Sequence, residues 1–327
     1  MIEPPAVVGT LRSFVVQYAT WLNKESGSRR FVWATIFGVV ATFSLPPLNI
    51  WPVLYVVFPS LLWLLSGIHN RISSFVLGWW FGFGFFGSSL YWIGNALLIK
   101  PDVYGWLIPF ASLGLPAVFA IYSGLVSLAA SYGRNHLQRG LLFAAAWVLT
   151  EWLRGHILTG FPWNLIGYSW GKPESLIQIA AWIGIYGVSL VVILSAVLPV
   201  SLADSSSRRA LITLILSLSL PLAAWMGGII RLSGAPELQS NMVKGVGIRI
   251  VQPSIPQNEK WVKKLHQRNM NRYLHMSLKN RPSWITHIVW PETAASLFVE
   301  EDELMRGKMA LTVPEGGLLL TGAPRRQ

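Results

Sequence analysis

The 327-residue sequence is 53% hydrophobic and only 12% charged, roughly half the charged share of soluble domains, which indicates a membrane protein. Its net charge of +12 comes from basic residues that stand singly or in pairs, a pattern that favours membrane lipid over nucleic acid as a partner. The sequence contains no cysteine, which excludes disulfides, thiolate metal ligands and a thiol nucleophile within these residues.

The first predicted element is the amphipathic segment 11–24, LRSFVVQYATWLNK, which we expect to lie on the inner membrane surface. A basic stretch before an apolar run is also typical of a signal peptide. No small-residue cleavage site follows, however, and a second apolar run comes at once. We therefore interpret residues 31–46 as a retained first span.

Apolar segments that can cross a bilayer need about 20 residues. The first two segments of the sequence are shorter than this and are separated by a proline turn, SLPPLN at 44–49. The seven predicted spans are roughly 31–46, 50–67, 72–97, 104–132, 140–158, 176–202 and 210–230.

Basic residues in the loops predict the orientation of these spans, because cytoplasmic loops carry an excess of Lys and Arg. With the N-terminus inside, the inner segments hold nine basic residues: Arg12, Lys24, Arg29, Arg30, Arg71, Arg134, Arg139, Arg208 and Arg209. The outer segments hold four: Lys100, Arg154, Lys172 and Arg231. Seven crossings then place everything after about residue 231 outside the cytoplasm, whereas an even number of spans would reverse this.

Glycines recur in the third predicted span, where GFGFFG at 82–87 matches the G-x-G-x-x-G pattern. A dinucleotide site requires that pattern between a strand and a helix, and here it lies inside an apolar span. Gly78 and Gly82, and likewise Gly84 and Ser88, are four residues apart. Small residues at this spacing favour close packing of helices in a membrane.

The segment TEWLRGHILTGFPWNLIGYSW at 150–170 places two ionisable residues near the end of the fifth span. Glu151 and Arg154 share a helix face and could form an ion pair. Ionisable groups at membrane depth also suggest a functional site. In that hypothesis Arg154, together with Trp163 and Tyr168, binds a phospholipid headgroup at the outer interface.

The composition changes after the predicted transmembrane domain, residues 1–231, and its polar linker, residues 232–245. Of the 40 charged residues, 21 lie in the last 96 positions, which indicates a water-facing domain at 246–327. Apolar runs at 246–253, 285–291 and 316–322 predict strands, and 259–280 and 300–311 predict helices. This alternation predicts a parallel sheet with a half-covered core.

Glu292 and Trp261 are the candidate site residues of this second domain. Glu292 follows the second predicted strand, and ligands of open parallel sheets bind beyond the carboxyl ends of strands. A solvated loop carboxylate is the alternative for Glu292. Trp261 lies near the same predicted edge and could line a site. The six histidines have no ligand spacing, so no metal is expected.

Four blocks of the sequence resemble one family. WPETA (290–294), after an apolar strand, resembles the first catalytic block of the nitrilase, or carbon–nitrogen hydrolase, superfamily. VQPSIPQNEKW (251–261) resembles the block that opens the domain in the membrane-bound branch. LTGFPWNLIGYSW (158–170) and FGFGFFGSSLYWIG (81–94) resemble the membrane half of that branch. From about residue 31 onward the sequence therefore resembles the first two thirds of an apolipoprotein N-acyltransferase.

The resemblance implies a multi-pass α-helical membrane bundle of about seven spans, followed by the N-terminal part of an α/β nitrilase-like (αββα) domain. It also implies a reaction without cofactor or metal. An acyl chain would pass from a phospholipid, through a thioester, to the α-amino group of an apolipoprotein's N-terminal diacylglyceryl-cysteine, the last step of lipoprotein maturation. The expected location is the bacterial cell inner membrane, with the N-terminus cytoplasmic and the second domain periplasmic.

The family's catalytic triad of Glu, Lys and Cys maps its general base onto Glu292. The Lys and Cys blocks of the family lie beyond the third strand, where this sequence ends, so the resemblance predicts an inactive fragment. A catalytically dead membrane protein that binds lipid or lipoprotein is the main alternative. A multi-pass transporter is weaker, because only Asn95 and Glu151 are polar residues near mid-membrane.

Overall fold

The computed structural model describes residues 6–203, 207–235 and 242–325. The chain divides into two compact units, Met1–Ala235 and Pro236–Gln327. The predicted linker, 232–245, falls partly on residues 236–241, which lie outside the described residues.

The described part of the first unit is helical. A 3-10 segment, Tyr91–Ile99, continues the fourth helix. The helices are α1 (Ala6–Lys24), α2 (Gly27–Ala41), α3 (Leu54–Ser66), α4 (Arg71–Leu90), α5 (Pro101–Tyr104), α6 (Leu115–Ala130), α7 (His136–His156), α8 (Glu174–Ile177), α9 (Ala180–Val197) and α10 (Ser207–Ser233).

Four helical segments of the described chain are long and apolar enough to cross a membrane: 71–99, 101–130, 180–203 and 208–233. A shorter apolar helix covers 51–66. The predicted spans 31–46 and 140–158 correspond mainly to α2, with 15 residues, and α7, with 21. All seven apolar segments are thus helical, and four of them qualify as spans by length and composition.

Helix α4 lies close to a neighbouring helix on each of two sides, because glycines leave room for the contact. Toward α6, a Cβ at Gly78 would overlap the carbonyl oxygen of Ser123, and one at Gly82 would lie 2.7 Å from the Ser123 Cβ. Toward α2, a Cβ at Gly38 would overlap the carbonyl oxygen of Phe81. The interpretation of the glycine pattern as helix packing is confirmed.

Aromatic rings fill the centre of this bundle. Trp147 of α7 lies 5.3 Å from Phe58 of α3, and 6.1 Å from both Phe81 and Phe85 of α4, measured between ring centroids. Phe58 also packs against Phe143, at 5.3 Å. Aromatic pairs at such distances add about 0.5–1.5 kcal/mol each beyond the burial of their area. The cluster therefore ties α3, α4 and α7 together.

The second unit contains a three-stranded parallel sheet in the order β1–β2–β3, so the predicted parallel sheet is confirmed. Its helix predicted at 259–280 is interrupted: Val262, a β-branched residue, adopts extended backbone angles. The elements are β1 (Ile248–Ile250), α11 (Gln257–Lys260), α12 (His266–Leu278), β2 (His287–Val289), α13 (Glu303–Ala310) and β3 (Leu318–Leu320).

A small core covers one face of this sheet. Ile288 of β2 is fully buried, and the Trp290 indole donates to the Ser277 hydroxyl of α12 at 2.9 Å. The Tyr273 ring lies 5.0 Å from the Trp290 ring, and burial raises the pKa of the Tyr273 phenol. Helix α12 is thereby fixed against the middle strand.

The guanidinium of Arg249, in β1, binds the carboxyl end of α12. Its Nη1 donates to the carbonyl oxygens of Ser277 at 3.2 Å and Lys279 at 2.8 Å, and its Nη2 donates to that of Asn280 at 3.1 Å. Carbonyls at the end of a helix lack partners within the helix and carry partial negative charge. Arg249 supplies these carbonyls with both hydrogen-bond donors and a positive charge.

The opposite face of the sheet is apolar and exposed. Ile248 and Ile250 of β1 are 55% and 78% exposed, and Leu318 and Leu320 of β3 are 57% and 51% exposed. Alternate residues of a strand point to the same face, so these four side chains share one face, with His287 and Val289 of β2 between them. The predicted half-covered core is therefore present.

We expect Gly38→Ala to lower the unfolding free energy of the protein in detergent by about 1–3 kcal/mol, since the new methyl group overpacks the contact of α2 with α4. Thermal unfolding followed by circular dichroism measures the change. Gly87→Ala is the matched control, because no heavy atom lies within 4 Å of its Cβ position. An equal loss in both variants would contradict the packing argument.

We expect Arg249→Gln to loosen the end of α12, with a loss of up to about 2 kcal/mol in local stability. Amide hydrogen exchange of peptides covering 272–280 should become faster. The control, Arg268→Gln, breaks an exposed ion pair with Glu259 and should change exchange far less. Unchanged exchange in Arg249→Gln would show that the cap contributes nothing.

Candidate functional site

The first unit contains a groove of about 720 Å³, a volume typical of sites for small molecules. Three segments that are distant in the sequence form it: the turn after α2, the end of α4, and the chain after α7. Its lining residues are mostly apolar or aromatic. They are Val39, Thr42, Phe43, Leu45, Pro46, Pro47, Leu48, Ser88, Ser89, Tyr91, Trp92, Trp163, Asn164 and Tyr168.

Trp163 and Tyr168, both predicted as lipid-binding residues, line this groove. The Trp163 ring packs edge-on against that of Trp92, with 6.5 Å between centroids. Trp163 is 58% exposed and Tyr168 is 40% exposed. Large amphipathic rings of this kind are typical of the membrane interface. The groove therefore combines apolar walls with an aromatic rim.

Arg154, the third predicted lipid-binding residue, does not line the groove. Its side chain is buried, and its Nη1 donates to the carbonyl oxygens of Phe161 at 2.9 Å and Trp163 at 2.6 Å. The guanidinium also lies 5.3 Å from the ring centroid of Phe86, a favourable cation–π contact. The charge therefore faces the interior of the bundle.

Glu151 is also buried, one helical turn before Arg154 on α7. Its Oε1 accepts hydrogen bonds from the Trp147 indole at 2.9 Å and from the backbone N–H of Ile166 at 2.7 Å. The predicted ion pair with Arg154 is thus replaced by separate hydrogen bonds to the chain after α7. Both charged residues hold the segment 161–166.

A second cavity, of about 10 Å³, adjoins these charges. Glu151, Arg154 and Asn164 contribute to its wall, and Asn164 also lines the groove. The Asn164 backbone has a φ of +56°, a left-handed conformation that Asn tolerates better than most residues. Asn164 therefore connects the buried charges to the groove, a role that the sequence did not indicate.

Glu292, the predicted general base, lies in the second unit just beyond the carboxyl end of β2. The backbone N–H of Trp290 donates to the carbonyl oxygen of Leu320 at 2.9 Å, and the chain then turns at Pro291 and leaves the sheet. The Glu292 side chain is exposed, and within the described residues its carboxylate has neither a hydrogen bond nor an ion pair. The carboxylate is available to a proton donor.

Two neighbours that the sequence did not single out shape the backbone of Glu292. Lys260 Nζ donates to the Glu292 carbonyl oxygen at 3.2 Å. Gly322, just after β3, comes so close that a Cβ there would lie 2.5 Å from the Thr293 nitrogen. The adjacency of Lys260 to Trp261, and the position of Gly322 at the end of a parallel strand, are signals that could have revealed both.

Trp261 follows Lys260 directly and is 53% exposed. The hydrogen bond of Lys260 to Glu292 therefore brings the backbone of Trp261 to the same edge of the sheet as Glu292. The described residues contain no cluster of three or more potential metal ligands of the types His, Asp and Glu.

Comparison with known proteins identifies the family. Residues 37–198 match the family model for the N-terminal domain of apolipoprotein N-acyltransferases. The chain is 34% identical to the apolipoprotein N-acyltransferase of Rhodopseudomonas palustris, over 97% of this chain and 61% of that protein. It is 36% identical to the apolipoprotein N-acyltransferase of Brucella melitensis, over 92% of this chain and 59% of that protein.

The chain thus spans about three fifths of the length of these curated relatives. The similarity covers both the membrane helices and the sheet that carries Glu292. On this evidence the chain belongs to the apolipoprotein N-acyltransferase family.

Proposed function

We propose that this chain provides the membrane part and the general base of an enzyme that transfers an acyl chain from a phospholipid to the N-terminal diacylglyceryl-cysteine of an apolipoprotein. The observation that carries the proposal is the Glu292 carboxylate, which is exposed, has no partner among the described residues, and lies at the carboxyl edge of a parallel sheet. Ligands of open parallel sheets bind at this edge. The names of the relatives supply the reaction class.

The groove of the first unit is the proposed site for the acyl chain of the donor. Moving an acyl chain from the bilayer into water costs about 0.8 kcal/mol per CH₂. A mostly apolar groove within a membrane bundle avoids that cost. Its aromatic rim, with Trp92, Trp163 and Tyr168, suits the level of the lipid headgroups.

The proposed topology has seven spans, a cytoplasmic N-terminus and a periplasmic second unit, in the inner membrane of a bacterium. The groove supports the alternation of the first five crossings. Its three walls come from the turn near Pro46, the end of α4 near Ser89 and the chain near Trp163. Alternating crossings put all three of these segments on the outer side of the membrane, and the structure brings them together.

The chemistry follows the family's Glu–Lys–Cys pattern, with the Lys and Cys supplied by a longer chain that completes a nitrilase-like domain. Glu292 takes the thiol proton, and the thiolate attacks the ester carbonyl of the phospholipid. A thioester forms, and the lysophospholipid oxygen leaves with the proton held by Glu292. The α-amino group of the acceptor then attacks the thioester, forms the amide and releases the thiol.

A second candidate function is binding of lipid or lipoprotein without chemistry. It is favoured by the absence of any cysteine from these 327 residues, which alone therefore supply no thiol. The groove would serve this function equally well. Acyl transfer by a longer chain would favour the enzyme over the binding protein.

Filling the groove should weaken phospholipid binding. We expect Ser89→Trp to lower the affinity of the purified chain for dioleoylphosphatidylethanolamine by about tenfold, or about 1.4 kcal/mol, measured by native mass spectrometry from detergent. Ser219→Trp is the matched control, because this serine lies on α10, away from the groove lining, and its hydroxyl bonds its own helix. Equal affinity in both variants would exclude the groove as the lipid site.

Glu292→Gln should strongly slow catalysis by a chain that joins residues 1–327 to the remaining C-terminal part of the Rhodopseudomonas palustris relative. Loss of a general base typically slows a reaction by about 10²–10⁴-fold. The readout is acyl transfer from phospholipid to the enzyme, and then to a diacylglyceryl-cysteine peptide. Glu315→Gln, at the opposite edge of the sheet, is the control. Full activity of Glu292→Gln would remove Glu292 from the mechanism.

A further inference from the structure

We propose that Arg154 and Glu151 are positioning residues that hold the segment 161–166, whose Trp163 and Asn164 form one wall of the groove, in its lipid-binding arrangement. The inference rests on the proposed use of the groove for the acyl donor. It assigns the buried charges of α7 to the shape of the site and not to direct contact with a headgroup.

Arg154 has the contacts that such a role needs. Only 3% of its surface is exposed, and its Nη1 bonds two carbonyl oxygens, those of Phe161 and Trp163, at 2.9 and 2.6 Å. The second of these acceptors belongs to a residue of the groove wall. A charged donor shared by two carbonyls two residues apart fixes the direction of the intervening peptides.

Glu151 holds the same wall from its other end. Its Oε1 accepts from the backbone N–H of Ile166 at 2.7 Å, and the Trp147 indole binds the same oxygen. Between the two anchored positions lies Asn164, which lines the groove and has a left-handed backbone. Without the anchors, this short stretch has no regular secondary structure to hold it.

Burying two charges in a membrane bundle is energetically costly. Here both side chains form hydrogen bonds with the backbone of the same six-residue segment, 161–166, so the buried charges order that segment. A headgroup ligand would need an exposed guanidinium instead. A preformed wall removes the ordering step from lipid binding.

The decisive variant is the double substitution Glu151→Gln/Arg154→Met. It removes both charges at once, so neither is left buried alone. Gln keeps an oxygen for Ile166 and Trp147, whereas Met fills the space of Arg154 without donating to Phe161 or Trp163. The control is Thr150→Val, which removes a buried hydroxyl that bonds only within α7.

Two measurements are made on each variant. Amide hydrogen exchange of peptides covering 160–168 reports the order of the wall without any lipid. Native mass spectrometry reports the affinity for dioleoylphosphatidylethanolamine and for dioleoylphosphatidylglycerol. If the double variant keeps the wall in place one tenth of the time, its exchange becomes faster and its affinity falls about tenfold. We expect Thr150→Val to stay within about twofold of the unmodified chain, and the loss in the double variant to be the same for both lipids.

The outcomes separate this inference from the proposed function. Unchanged exchange at 160–168 in the double variant overturns the positioning role, whatever the lipid affinity. Faster amide exchange with unchanged lipid affinity shows that lipid does not bind at this wall, and it excludes the groove as the lipid site. A loss confined to phosphatidylglycerol would mean that Arg154 binds an anionic headgroup directly. Should the double variant fail to fold, Arg154→Lys provides the same two readouts with the charge retained.

Discussion

The close approach of α4 to α2 and α6 is the constraint on which the membrane unit depends. Gly38, Gly78 and Gly82 leave no room for a Cβ at these contacts, so the helix backbones lie against each other. In a membrane this matters more than in water, since lipid chains are as apolar as the side chains and burial drives association weakly. Tight packing then brings the aromatic residues of α3, α4 and α7 into one cluster.

That packing also decides where the groove forms. The end of α4 carries Ser89, and the 3-10 segment after it carries Trp92; the contact of α4 with α2 sets both beside the turn at Pro46 and Pro47. The third wall has no helix of its own. Two buried charged side chains of α7, Arg154 and Glu151, form hydrogen bonds with its backbone. Rigid helices and a tethered segment together give the site its shape.

The second unit combines an ordered edge with an uncovered face. Arg249 and the Trp290–Ser277 bond attach α12 to one side of the sheet, and this fixes the strands that end near Glu292. On the other side, Ile250 and Leu320 face solvent. Soluble monomers rarely leave large apolar patches open. The chain spans about three fifths of the length of its curated relatives.

Hydropathy and local pattern were sufficient to predict much of the architecture. The seven apolar segments are all helical, the glycine spacing in α4 is a packing motif, and the alternating runs after residue 246 form a parallel sheet. The placement of Glu292 beyond the end of a strand followed from the same pattern. These features depend on residues close together in the chain, and short-range periodicity records them directly.

Other features depend on contacts between distant parts of the chain, and only the tertiary structure decided them. The sequence pairs Glu151 with Arg154 by spacing, but the folded chain offers both side chains backbone partners at 161–166. The groove joins residues more than 100 positions apart, such as Pro46 and Tyr168. Lys260 meets Glu292 across 32 residues. No local pattern encodes such meetings, because they follow from how whole helices and strands pack.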